Sequence, residues 1–173
     1  MASTTNFDPT KIHMGPASVT WGDTHLGYTL NDSVKVNIPT ETTPVTPDQS
    51  SLAVMDVVTS TAVTVEATFA QVEDILALMV GVEQDTDGNY VFKDPGGVDL
   101  KQKAKPLILE PYDINETDDV KPAGITYTFP KACPVVTDGF AFAKTTPQGI
   151  TLSFKVYADD EGKFMKWNKT ATE

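Results

Sequence analysis

The chain has 173 residues, 24 of them acidic and 13 basic, for a net charge of -11. Every base is a lysine, so the arginine fork that grips phosphate and guanine is missing, and tight nucleic-acid binding is excluded. No run of about 18 apolar residues exists to form a membrane-crossing helix, and the start "MASTTNFDPTK" has no apolar signal segment, which gives the expectation of a chain made in a cytoplasm with no membrane partner.

In chain order, residues 1–12 read as an N-terminal arm. "ASVTW" and "HLGYT" follow as short strands around the turn "WGDTH". "VKVNI" alternates, with Val34, Val36 and Ile38 on one face and Lys35 and Asn37 on the other. Then comes "NIPTETTPVTPDQSS", residues 37–51, rich in Pro and Thr and without an aromatic residue. A turn between strands needs about two to five residues, so a loop of this length, about 39–53, implies a task of its own.

"AVTVEA" sets Val63 and Val65 against Thr64 and Glu66, as in a half-buried strand. The next segment switches period. Phe69, Val72, Ile75, Leu76 and Met79 in "TFAQVEDILALMVG" fit one helix over about 69–80, with Thr68 and Gln71 as a capping box and Gly81 as its stop. "EQDTDGNYVFKD" (83–94) echoes a calcium loop, with Gly88 at the sixth place. Glu83 stands where Asp is needed, Asp94 where Glu is needed, and "PGGVDL" cannot start the required second helix, so a hairpin turning at Asp87-Gly88 with "NYVFK" as a strand is the better reading.

"PLILE", "ITYTF", "GFAFA" and "ITLSFKV" complete the strand set. Ile125, Tyr127 and Phe129 alternate with Thr126 and Thr128, and Ile150, Leu152, Phe154 and Val156 with Thr151, Ser153 and Lys155. "PYDINETDD" (111–119) has the composition of a second surface loop, and residues 168–173 that of a C-terminal tail. The sum is one mainly β domain, residues 1–173: an antiparallel sandwich or barrel with one flanking helix.

Nothing in the chain reads as catalytic machinery or a cofactor site. Cys133 stands alone, so it forms no internal disulfide and reads as a small buried apolar side chain. His13 and His25 have no ligand spacing between them. Asn31, Asn115 and Asn168 open glycosylation sequons that mean little without a secretory signal. Trp21 and Trp167 lie far apart and read as core or interface residues, not as an exposed glycan platform. No nucleophile elbow or phosphate-binding glycine loop is found, and an enzyme is not expected.

The order of these pieces resembles the major tail (tail tube) proteins of long-tailed bacteriophages. Four stretches carry the resemblance: "HMGPASVTWGDTHLGYT", the long arm returning through "LAVMDVVTSTAVTVEA", the strand-then-helix "VTVEATFAQVEDILALMVG", and the closing half "KPLILEP", "ITYTFPKACPVV" and "ITLSFKVYADDEGKFMKW". Together they span most of the chain and rest on order and texture. The resemblance implies a virion protein, assembled in the host cytoplasm, whose six-membered rings stack into a tube that conducts DNA without binding it specifically. It also implies contacts with tape measure, terminator and distal tail proteins.

On this reading the arm reaches a neighbouring subunit and orders on assembly, its prolines limiting the entropy lost and blocking premature strand pairing. Pro39, Thr40, Thr43, Pro44, Val45, Pro47, Leu52 and Met55 are its candidate contacts. Thr59, Thr61, Thr64 and Glu66 are candidates for an acidic, hydroxyl-lined lumen. Thr59 and Thr61 share the parity of Val63, so a bend between them and Thr64 is required. Other readings remain: a head decoration or head–tail joining protein, the tube of a contractile injection machine, or a monomeric β-sandwich binding module.

Overall fold

The computed structural model describes residues 17–27, 29–30, 33–49, 52–111, 125–139, 141–142 and 148–169. The strands are β1 (Ala17–Trp21), β2 (Thr24–His25), β3 (Lys35–Asn37), β4 (Thr40–Val45), β5 (Met55–Thr61) and β6 (Val63–Phe69), then β7 (Val82–Gln84), β8 (Tyr90–Phe92), β9 (Lys105–Pro111), β10 (Ile125–Asp138), β11 (Ile150–Tyr157) and β12 (Lys166–Lys169). Two short helices, α1 (Val72–Leu76) and α2 (Leu100–Lys103), interrupt them. The fold is mainly β, antiparallel and sandwich-like.

The main sheet runs β2-β1-β9-β10-β11-β6-β3, and β12 also pairs with β10. The 14-residue β10 is its spine. Its first half pairs with β9 and β12, its second half with β11. The β9 register shifts between Phe129 and Ala132. Pro130, which has no N–H to give a ladder, lies in that shift, where strands bend. Across it, the Trp21 indole N–H donates to the Ala132 carbonyl at 2.8 Å, and the Lys105 ammonium lies 4.8 Å from the Trp21 ring.

Strict alternation builds one core from both halves of the sheet. Val19, Leu107, Leu109 and Phe129 come from one half; Val65, Phe69, Leu152 and Phe154 come from the other. Each such side chain taken from water contributes about 1.5–3 kcal/mol. Val63, Ile150 and Val156 are buried as the alternation requires, and Tyr127 packs against the cluster.

Several expectations are corrected. The helix over 69–80 shrinks to Val72–Leu76. Thr68 and Phe69 belong to β6 instead, paired with Thr151 and Ile150, and the Thr68 hydroxyl hydrogen-bonds that of Thr151 at 2.9 Å. The capping box is therefore absent: Gln71 occupies the N-cap without a side-chain cap bond. Val72 and Ile75 still face the core. Gly81, at φ +93°, does not stop the helix; it leads into β7, and its carbonyl accepts the Lys93 N–H at 2.8 Å.

In "VKVNI" only Val34 packs against the core, because β3 is an edge strand and leaves Val36 and Ile38 exposed. Ala141 and Phe142 of "GFAFA" lie in no strand. Asn168 and Lys169, read as tail, pair with Thr126 and Ile125. His13, Asn31 and Asn115, residues 1–12, and all but Pro111 of the "PYDINETDD" loop lie outside the described residues.

Candidate assembly surface

The long loop of the sequence is a β-hairpin within the single chain. β4 pairs with β5 from Thr40↔Thr61 to Val45↔Met55, so the expected loop over about 39–53 is corrected to a paired strand ribbon. Pro44 sits in the ladder opposite Asp56. A two-stranded ribbon turns alternate N–H groups away from the partner strand, and a proline fits such a position. Pro39 and Pro47 lie just outside the two ends of β4. The register shifts between Glu41 and Thr42, and there the Thr59 hydroxyl donates to the Glu41 carbonyl and the Ser60 hydroxyl to its carboxylate.

Period-two alternation gives the ribbon two unlike faces. Thr43, Val45, Met55 and Val57 share one; Thr42, Pro44, Asp56 and Val58 share the other. Both are open: every residue of β4 is exposed, and Met55, Val57 and Val58 are 58%, 44% and 59% exposed. Leu52 and Val54 at the turn are more exposed still. None of these apolar side chains belongs to the buried core, and exposed apolar patches of this kind mark contact sites.

All eight arm residues chosen from sequence lie on this hairpin or its flanks, among them Thr40, Thr43, Val45, Pro47, Leu52 and Met55. Val54, Val57 and Val58 belong to the same exposed surface although they are not among the eight. The run "LAVMDVV" was the available signal, since five of its seven residues are large and apolar or methionine.

The four lumen candidates divide between two elements. Thr59 and Thr61 lie in β5; Ala62 separates them from Thr64 and Glu66 in β6, and its N–H donates to the Pro39 carbonyl at 3.1 Å. Thr64 and Glu66 stand on the sheet face opposite the core. Asn37 and Lys155 flank Thr64 in register, and Lys35 and Ser153 flank Glu66. This face carries hydroxyls, and Lys35 and Lys155 beside Glu66 and Thr64 make its charge mixed.

A second exposed apolar region lies at β7–β8. Asp85 organises its turn: its carboxylate accepts the N–H groups of Asp87 at 3.0 Å and Asn89 at 2.8 Å, and these bonds, the one from Asn89 foremost, hold it below the usual carboxylate range. The hairpin reading of "EQDTDGNYVFKD" is thus the observed one. Tyr90 and Phe92, on one side of β8, border a groove of about 620 Å³ against Leu76 and Met79 of the α1 segment.

Cys133 is fully buried and burial pushes its thiol up. His25 accepts the Gly27 N–H on Nδ1 at 3.1 Å, which leaves Nε2–H to donate to the Ser18 hydroxyl at 2.8 Å. Trp21 is core, whereas Trp167 is exposed on β12. Among the described residues, no three His, Cys, Asp or Glu side chains converge as metal ligands would.

No protein-family model matches the chain, and no curated protein matches it. Among solved structures, the chain is similar to the tube-terminating cap of the anti-feeding prophage. The TM-score is 0.50 over 98% of this chain and 100% of that chain, at 14% identity. At that identity the likeness is one of fold, shared along the whole length of both chains.

Proposed function

We propose that this chain is a non-enzymatic structural subunit of a phage-type tail or injection machine that assembles with copies of itself into rings and tubes. The observation that carries the reading is the β4–β5 hairpin, a ribbon apolar on its Val45–Met55–Val57 face and exposed on both sides. A subunit that hands such a ribbon to a neighbour removes that surface from water and covers a sheet edge in one step. The similarity in fold to a prophage tube cap supports the same reading. Stacked hexameric rings through which DNA is ejected are the form the tail-tube resemblance suggests, with tape measure, terminator and distal tail proteins as further partners and the virion tail as location. The mixed, arginine-free face around Thr64 and Glu66 suits a wall that DNA passes without being held.

The likeness to a terminating cap favours a second reading, in which the chain closes a tube instead of repeating along it. Electron microscopy of the purified chain, beside a variant with residues 40–61 replaced by a short glycine linker, tests both. Hollow tubes from the intact chain and monomers from the variant are expected for a tube subunit; single rings that never stack indicate the cap. A monomeric intact chain at every concentration and salt defeats self-assembly, and tubes from both samples defeat the role given to the hairpin.

A further inference from the structure

Two apolar features among the described residues stand apart from the core and from the β4–β5 hairpin and are of unlike shape, one concave and one projecting. One is the groove between α1 and β7–β8, floored by Leu76, Met79 and Val82 and walled by Tyr90 and Phe92. Its rim is acidic, from Glu73 and Asp74 in the first turn of α1. The other is Trp167 on β12, 62% exposed although its register partner Tyr127 packs against the core. Exposed Lys166 precedes it.

We infer that the groove of one copy receives the Trp167 edge of β12 from a second copy. This rests on the self-association proposed above. Trp is the side chain most suited to anchor an interface, and a groove of methionine and aromatic side chains is its natural receptor. Charge favours β12 over the β4–β5 hairpin as the inserted ridge. The β4–β5 hairpin carries Glu41 and Asp56 and no base, so it meets an acidic rim with like charge. β12, Lys-Trp-Asn-Lys, brings base to that rim. Alternation sets Trp167 and Lys166 on opposite sides of the strand, so with the indole in the groove the Lys166 stem must fold back around the strand edge to bring its ammonium to the rim. Groove and ridge are different parts of one chain. The contact is therefore head-to-tail, and it closes a ring or continues as a helix.

The chain carries its own reporter, because its two Trp residues are the buried Trp21 and the exposed Trp167. Sedimentation velocity and Trp emission are followed over a concentration series for the full chain, Trp167→Ala, Phe92→Ser, Glu73→Lys, Lys166→Glu and the paired reversal. All these positions are exposed, so the fold is expected to survive. The expected result is a blue shift of emission as the natural chain associates, and association weakened by roughly tenfold or more in Trp167→Ala and Phe92→Ser. Each charge reversal weakens it several-fold, and the paired reversal restores most of the loss. Association with unshifted emission and an unaffected Trp167→Ala overturns the inference while self-assembly stands. Loss in Phe92→Ser alone gives the groove to another occupant and also overturns it. A natural chain that stays monomeric overturns the assembly reading, and this inference with it.

Discussion

Phe154 stands at the centre of the core: it is fully buried in β11, with Pro134 and Val65 as its register partners on the two neighbouring strands. Phe154→Ala leaves a cavity that three strands cannot close together, and is expected to cost about 3–5 kcal/mol in urea unfolding. An unchanged midpoint would mean that the two halves of the sheet do not share this core. Asp85 acts at the surface and through pH. Its carboxylate is held below its ordinary value of 3.8, so its contribution to the β7–β8 turn is present above that pH and lost as pH falls through the lower folded value. The amide resonances of Asp87 and Asn89 are expected to shift together on acidification below about pH 4, and Asp85→Ala is expected to abolish that shared step. Amides that titrate separately would show that the turn is not built on this side chain.

The β4–β5 hairpin and the core strands answer to different constraints. Val57→Asp puts a charge on the apolar face of the ribbon, far from any core position. It is expected to change thermal stability by no more than about 0.5 kcal/mol while abolishing assembly in the electron microscope. Loss of the fold instead would make the hairpin part of the monomer's stability. Strands such as Ile150–Tyr157 were legible because a buried face forces period-two alternation, and this sheet keeps it over eight residues. The hairpin was not legible, because its two faces are both open and no burial imprints a period on "TETTPV". The helix is shorter than its apolar spacing suggests for a related reason. Phe69 is apolar at a helical spacing from Val72, but it equally continues Val63, Val65 and Ala67, and pairing with Ile150 claims it for the strand. Once β6 holds Phe69, only Val72 and Ile75 remain as buried helix residues, and a single turn suffices to place both.

At the scale of the whole molecule, charge and apolar surface oppose one another. Copies that each carry -11 repel over a distance set by salt, about 10 Å at 0.1 M and about 3 Å at 1 M. The apolar contacts proposed for the hairpin and the groove act only when surfaces touch, and salt does not weaken them. The Lys166 contact with the groove rim is a single short-range pair on an exposed edge and is worth little beside the summed repulsion. Rising salt is therefore expected to promote association, lowering the concentration at which rings or tubes first sediment between 50 mM and 500 mM sodium chloride. The same acidic chain is expected to leave a DNA fragment unshifted in a gel across that range, since no arginine and a net negative charge give the backbone nothing to hold. Association that weakens steadily with salt would assign the interface to ion pairs and remove the apolar hairpin from its centre.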